Sequence, residues 1–142
     1  MGVGFLLDTN VVSEVRKRHG SPTVKDWIGS SSGPTLYLSC LTIGEIRSGV
    51  ESRRRRDPGQ AAILERWLHE LRRQFADRVV PITPAVAEEW GRLNAVRTLP
   101  VADGLIVATA RVHGWTLVTR NVKDVDGTGV SVINPFDLPP GR

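Results

Sequence analysis

Apolar and polar residues alternate along the chain in blocks that predict short strands separated by longer helices. Five apolar-rich segments have the length of strands and are bounded by polar or turn-forming residues. These predicted strands cover residues 3–7, 35–39, 78–82, 116–118 and 130–133. The first is apolar up to Asp8, which is typical of a strand buried on both faces.

Helical periodicity fills the segments between the strands. It is strongest over residues 60–76, where apolar side chains recur at helical spacing: Leu64, Trp67, Leu68, Leu71 and Phe75. Residues 105–110 are apolar nearly all round, which indicates a buried helix, and Gly114 is its predicted C-cap. Further helices are predicted over residues 11–17, 23–28 and 42–55, and from Thr83-Pro84 onward.

Strands that alternate with helices predict an α/β fold, with a central parallel sheet of about five short strands flanked by helices. A length of 142 residues suits a single domain, so we expect one domain over residues 1–142. Hydrophobic residues make up 40% and charged residues 24% of the chain, and these ordinary globular values exclude wholesale disorder.

Acidic residues stand where predicted elements end or begin. Asp8 follows the first strand, Asp103 opens the buried helix, and Glu45 falls in the predicted first turn of its own helix. Residues 119–121 follow the fourth strand. Because the carboxyl ends of parallel strands meet at one edge of a sheet, we expect these side chains to converge there. Grouped carboxylates require a cation, so the pattern favours a divalent metal and phosphodiester chemistry.

Each of these residues also has a purely structural explanation. Asp8 can cap the first helix, and Asp103 can favour the positive end of the helix dipole. Glu45 alone is more typical of a solvated position, while Asn121 and Asp124 suit a turn. Helix caps account for single positions but not for the expected convergence of all of them.

The charge balance and the cysteine content bear on partners and location. Lys and Arg number 19 against 15 Asp and Glu, and the pI is near 10.0, which favours a polyanionic partner. The run Arg53-Arg54-Arg55-Arg56 indicates weak RNA binding, although a solvated helix end explains it equally well. Cys40 is the only cysteine, and no apolar run is long enough to span a bilayer, so we expect a cytoplasmic protein without a membrane partner.

Four motifs, in order and at suitable spacing, resemble the PIN domain over essentially the whole chain. They are Leu6-Leu7-Asp8-Thr9-Asn10, Leu41-Thr42-Ile43-Gly44-Glu45-Ile46, Ala102-Asp103-Gly104-Leu105-Ile106-Val107-Ala108-Thr109-Ala110 and Val118-Thr119-Arg120-Asn121. The closing segment Val132-Ile133-Asn134-Pro135-Phe136 resembles the end of the VapC and FitB-like toxins within that family. Each motif alone is weak, and the four in register are specific.

The resemblance implies a ribonuclease that uses Mg²⁺ or Mn²⁺ and is the toxin of a type II toxin–antitoxin system. Its partners would be the RNA substrate, a cognate antitoxin that is a small DNA-binding protein, and a second copy in a homodimer. By position, Asp8, Glu45 and Asp103 match the first three acids of the family. At the fourth position Asn121 stands where several relatives have Asp, and Asp124 lies three residues further on.

From this pattern we expect Asp8 and Asp103 to bind the metal directly, and Glu45 either to bind it through water or to orient the nucleophile. Thr9 would hydrogen-bond a ligand carboxylate or a substrate phosphate. Asn121 is expected to assist more than Asp124, which must fold back across about one turn to reach the site.

Two other functions fit parts of the pattern. A PIN-like scaffold could bind RNA or a partner without cleaving, which the near-complete set of acids argues against. A haloacid-dehalogenase-type phosphatase needs a second Asp two residues after Asp8, where Asn10 stands.

Overall fold

The computed structural model describes residues 3–138, which fold around one five-stranded parallel sheet. Helices lie between the strands in sequence, which confirms the predicted α/β class. In chain order the elements are β1 (Phe5–Leu7), α1 (Thr9–Arg16), α2 (Pro22–Ser30), β2 (Leu36–Ser39), α3 (Cys40–Arg54), α4 (Pro58–Gln74), β3 (Val79–Val80), α5 (Pro84–Val96), α6 (Val101–His113), β4 (Thr116–Val118) and β5 (Val132–Ile133). Short 3₁₀ turns occur at Gly33–Thr35, Val122–Val125 and Pro135–Asp137.

The order of the strands places a crevice beside β1. Across the sheet the order is β3-β2-β1-β4-β5, and every pairing is parallel. The chain moves outward from β1 through β2 to β3, then crosses to the other side of β1 to form β4 and β5. Ligands of open parallel sheets bind outside the carboxyl ends of the strands where this order reverses. Here that point lies between Leu7 of β1 and its partner Val118 of β4.

Alternate residues of the central strands face two separate cores. Leu7 and Val118 contribute to the core formed with α1, α2, α3 and α4. Leu6 and Leu117 contribute to the opposite core, which includes residues of α5 and α6. Since neighbouring strand residues point to opposite faces, the continuous apolar run before Asp8 is the expected sequence of a strand covered on both sides.

The buried character of α6 is confirmed, and so is its C-cap. Residues 106–110 are buried, and Gly114 adopts the left-handed conformation, with φ 70°, that commonly ends a helix. Within residues 3–138, no helix combines the length and the apolar character needed to cross a membrane.

Several predicted boundaries were wrong. Helix α3 begins at Cys40 rather than at residue 42, because the Ser39 hydroxyl accepts a hydrogen bond from the Leu41 amide at 3.0 Å and caps the helix. Glu45 therefore lies in the second turn of α3, not in the first. Strand β3 stops at Val80, since Pro81 has no amide hydrogen to continue the ladder.

The other predicted elements were placed correctly, and β4 has its predicted bounds, but several of the others differ at their ends. Helix α1 starts two residues before the predicted 11–17, α2 extends beyond 23–28 at both ends, and α4 runs two residues ahead of 60–76. Strand β2 lacks Thr35, which belongs to the 3₁₀ turn before it. Strand β5 is shorter than 130–133 and begins at Val132.

Candidate active site

Asp8 directly follows β1 and is hydrogen-bonded to the end of β4, so it lies between the two strands that flank the crevice. It caps α1, because its Oδ1 accepts a hydrogen bond from the Thr9 amide at 2.8 Å. Its Oδ2 accepts one from the Thr119 hydroxyl, also at 2.8 Å, and its own amide donates to the Val118 carbonyl. The predicted cap is therefore real, yet the same carboxylate also contacts the segment that follows β4.

The surroundings of Asp8 disfavour its negative charge. Burial raises the pKa of its carboxyl, and the nearby charge of Glu45 raises it further. Hydrogen bonds from Thr119 and Thr9 lower the pKa but do not cancel the effect of burial. The ionised carboxylate of Asp8 is thus destabilised, and a bound cation would relieve this.

Asp103 lies in the first turn of α6 and lines the same narrow cavity as Asp8. Burial raises the pKa of the Asp103 carboxyl, and the charges of Asp8 and Asp124 raise it further. A helix N terminus alone would favour the ionised carboxylate and lower that pKa. The helix dipole therefore does not account for the electrostatics of this position, where burial has the largest effect on the pKa and the two acidic neighbours add to it.

Glu45 reaches the site through Thr9. The Thr9 hydroxyl donates a hydrogen bond to Glu45 Oε1 at 2.5 Å and lies 3.3 Å from the hydroxyl of the buried Thr42. The carboxylate that Thr9 was predicted to bind is thus that of Glu45. Glu45 itself is exposed and lines a neighbouring groove, so only its charge, and not its side chain, is shared with the cavity of Asp8 and Asp103.

Both candidates for the fourth position reach the cavity. Asn121 and Asp124 line it together with Asp8 and Asp103. The 3₁₀ turn Val122–Val125 folds Asp124 back, with the Asp124 amide donating to the Asn121 carbonyl at 3.1 Å. Arg97 holds that turn by donating to the Asp124 carbonyl at 2.9 Å.

Thr119 and Asn10 connect the parts of the site, although the sequence pattern predicts no role for either residue. Thr119 is 1% exposed, bonds Asp8, and accepts hydrogen bonds from the Asn121 amide and from Asn10 Nδ2. Asn10 Oδ1 accepts in turn from the Arg120 amide at 3.2 Å. In the sequence, Thr119 is recognisable only as a hydroxyl residue directly after a strand. Its contact with Asp8 follows from the pairing of β4 with β1.

The arginines at positions 53 to 56 have different surroundings. Arg54 donates to Glu51 and Glu65, and Arg47 donates to the same two carboxylates, so this cluster ties α3 to α4. Arg53 instead lines the groove that contains Glu45. Arg55 and Arg56 are exposed at the end of the helix.

The donor atoms around the cavity suit a hard divalent cation. The polar side chains that line it are Asp8, Asp103, Thr119, Asn121 and Asp124, all of which offer oxygen. Within residues 3–138, no three Asp, Glu, His or Cys side chains are close enough to form a complete ligand set. Mg²⁺ needs only one or two carboxylates because it keeps several waters. The cavity volume of about 10 Å³ fits a water-sized species and not a nucleotide.

Comparison with known proteins identifies the class of this fold and site. A family model described as the PIN domain matches residues 5–124. The chain therefore belongs to the PIN-domain family, as its motifs predicted.

Individual relatives lie among the toxins of that family. The chain is 35% identical to the plasmid stability protein StbB of Pseudomonas syringae pv. tomato, over 94% of this chain and 99% of that protein. It is 33% identical to the VapC ribonuclease Y4jK of Sinorhizobium fredii, over 94% and 98%. The crystal structure of FitAcB from Neisseria gonorrhoeae superposes with a TM-score of 0.84 at 31% identity, covering 94% of this chain and 99% of that one. The resemblance to VapC and FitB-like proteins is thereby confirmed.

Proposed function

We propose that this chain is a metal-dependent endoribonuclease and the toxin of a type II toxin–antitoxin system. The observation that carries the proposal is a cavity at the reversal point of the sheet that three acids from distant segments line, Asp8, Asp103 and Asp124, with Glu45 beside it. Glu45 repels Asp8, and both Asp8 and Asp124 repel Asp103. Repulsion between such carboxylates destabilises a fold unless a cation binds between them. Two relatives named VapC ribonuclease and Toxin FitB support the assignment.

Asp8 and Asp103 would hold Mg²⁺ or Mn²⁺, with Glu45 acting through water and Asn121 or Asp124 assisting. The ion would supply an activated water and a partner for the charge that builds on the phosphate. Thr119 fixes the orientation of the Asp8 carboxylate, and Thr9 fixes that of Glu45. Glu45, exposed and held on one oxygen only, would orient the attacking water or accept its proton from the groove beside the cavity.

The same acidic cavity suits control by a protein partner. A cationic Arg or Lys from a cognate antitoxin would satisfy the carboxylates in place of the metal and exclude the substrate. We further propose that residues 1–142 act as one domain, that the toxin is a homodimer, and that it works in the cytoplasm, where RNA and a free exposed thiol such as Cys40 coexist. Co-expression with the neighbouring reading frame should yield a stable complex of low nuclease activity.

A cleavage assay tests the enzymatic proposal against a scaffold that binds without cutting. We expect wild-type protein to cut RNA with added Mg²⁺ or Mn²⁺ and to lose activity in excess EDTA. Asp8→Asn and Asp103→Asn should each lower the rate by at least about 100-fold, since they remove proposed ligands. Asp126→Asn, at an exposed position outside the cavity, is the matched control. Full activity in EDTA would reject the metal mechanism, and no cleavage under any condition would favour the scaffold.

A further inference from the structure

A groove of about 210 Å³ adjoins the acidic cavity between α1, α3 and α4. Thr9 and Glu45 line its near end, while Asp8, the residue before Thr9, lines the cavity. The groove and the cavity therefore adjoin at residues 8 and 9. A chain whose reacting phosphate lies at the mouth of the cavity has this groove as a direct continuation.

The polar walls of the groove are helix faces that lead away from the acids. Thr9, Ser13 and Arg16 of α1 line one wall, and their spacing places them on one side of that helix. Glu45, Gly49 and Arg53 of α3 line the other, also on one side. Eight residues separate Glu45 from Arg53, so the groove follows α3 for about 12 Å from the acids.

Two arginines in this groove are free to bind an anion. Within residues 3–138, neither Arg16 nor Arg53 forms an ion pair, whereas Arg47 and Arg54 on the same surface are bound to carboxylates. The Arg16 guanidinium lies 5.5 Å from the centre of the Trp67 ring, which also lines the groove and orients the cation.

The groove is open between its charged side chains. Gly49 has no side chain, and a Cβ there would meet no other atom within 4 Å. Ser13 adds a hydroxyl to the α1 wall. Free cations, hydroxyl groups and an aromatic ring in an open groove are the features that bind a single nucleic acid strand through its backbone.

We propose that this groove binds the phosphate backbone of single-stranded RNA next to the scissile bond, with Arg16 and Arg53 contacting phosphates. The assignment rests on the proposed ribonuclease function and specifies how its substrate is held. It also separates Arg53 from the rest of the arginine run. Arg54 is committed to α4, and Arg55 and Arg56 lie outside the groove.

Binding of a fluorescently labelled single-stranded RNA, followed by anisotropy in EDTA, tests the groove without requiring cleavage. Arg16→Gln and Arg53→Gln should each weaken binding by about threefold to tenfold. Each should also reduce the slope of log affinity against log salt by about 0.7, the value for one lost phosphate contact on a single strand. Arg56→Gln and Arg18→Gln remove the same charge at exposed positions outside the groove and are the matched controls.

Two further variants guard against a loss of folding. Arg16→Lys keeps a cation that binds phosphate and should retain the wild-type salt slope. Gly49→Glu places a negative charge in the groove at an uncrowded helical position and should weaken RNA binding while preserving the melting temperature.

Three outcomes would be decisive. Groove variants that bind RNA like Arg56→Gln would overturn the proposal. Variants that leave RNA binding intact but weaken the complex with the co-expressed antitoxin would show that the groove holds a protein segment, which also overturns it. Reduced RNA binding by the groove variants, in a protein that never cleaves, would uphold the groove and reject the nuclease.

Discussion

Asp8 serves both the fold and the proposed chemistry with one carboxylate. One oxygen caps α1 through the Thr9 amide, and the other accepts from Thr119 after β4. A carboxylate oxygen has two lone-pair directions, so each keeps acceptor capacity for a cation. A structural role and a functional one are therefore compatible at this residue, and finding the cap does not argue against the site.

Replacing Asp103 by Asn tests whether the acids are crowded. The folded pKa of Asp103 is raised above its ordinary value of 3.8. A group of this kind stabilises the fold below its unfolded pKa, and the contribution is lost as pH rises through the folded pKa. Without metal, Asp103→Asn should therefore raise the melting temperature at neutral pH by a few degrees. The gain should shrink toward about pH 3, where the wild-type carboxyl is protonated.

The matched control for this experiment is Asp126→Asn, which removes one exposed charge outside the cavity. Added Mg²⁺ should narrow the difference between wild type and Asp103→Asn, because the ion relieves the same repulsion. A lower melting temperature for metal-free Asp103→Asn at neutral pH would mean that the acids do not repel one another as described.

The fourth position can be resolved by comparing Asn121 and Asp124. Their order in the sequence favours Asn121, but the 3₁₀ turn brings both side chains to the cavity, and the charge of Asp124 reaches Asp103. Only Asp124 adds negative charge for a cation, so we now expect Asp124→Ala to lower the cleavage rate more than Asn121→Ala. Both should cost less than Asp8→Ala. Rates measured at saturating Mg²⁺ would decide the order, and a larger loss in Asn121→Ala would restore the prediction from sequence.

At the scale of elements, the pairing of α5 with α6 sets the position of Asp103. A Cβ on Gly104, the next residue, would lie 2.9 Å from Cδ1 and Nε1 of the Trp90 ring on α5. Gly104→Ala should therefore push the helices apart and cost about 1–3 kcal/mol of unfolding free energy. Gly91→Ala on α5, where a Cβ meets nothing within 4 Å, should instead stabilise by about 0.5–1 kcal/mol. Urea denaturation measures both, and equal effects would contradict the close packing.

The link between α3 and α4 should depend on pH. Hydrogen bonds from Arg47 and Arg54 lower the pKa of Glu65 to about 2, from an ordinary value of 4.5. A carboxyl with a lowered folded pKa stabilises above its unfolded pKa, and the contribution is lost as pH falls through the folded value. Glu65→Gln should thus lower the melting temperature at neutral pH, modestly because the cluster is solvent-screened, and the difference should disappear as pH falls toward about 2.

Glu88→Gln is the control for the Glu65 prediction, since Glu88 is largely exposed and its contact with Arg92 is 3.7 Å long. If Glu65→Gln melts like Glu88→Gln at neutral pH, the arginine cluster does not join the two helices.

Sequence patterns predicted the elements better than their ends. The apolar runs identified five strands and the buried helix α6, because the spacing of apolar residues reflects directly which side chains are buried. The start of α3 depends on one hydrogen bond that the Leu41 amide donates to the Ser39 hydroxyl, and no periodicity encodes it. This cap places Glu45 in the second turn rather than the first. The roles of Thr119 and Asp124 likewise depend on strand order and on one 3₁₀ turn, which arise only when the sheet assembles.

At the scale of the whole molecule, a basic protein brings three carboxylates together in one cavity. The net charge is +4, yet Asp8, Asp103 and Asp124 share a cavity at the reversal of the strand order. The reversal brings the carboxyl ends of β1 and β4 together, and the N-terminal turn of α6 meets them. In the proposed function, the net positive charge would favour the approach of RNA, and the negative cavity would bind the divalent ion.

Mn²⁺ binding, measured by calorimetry or by the paramagnetic resonance of free Mn²⁺, tests the central claim most directly because it needs neither RNA nor an antitoxin. We expect the wild-type protein to bind Mn²⁺, and Asp8→Asn and Asp103→Asn each to weaken binding by at least about tenfold. The Asp126→Asn control should bind like wild type. If both cavity variants bound Mn²⁺ as tightly as wild type while remaining folded, Asp8 and Asp103 would not form a shared metal site, and the proposed mechanism would be wrong.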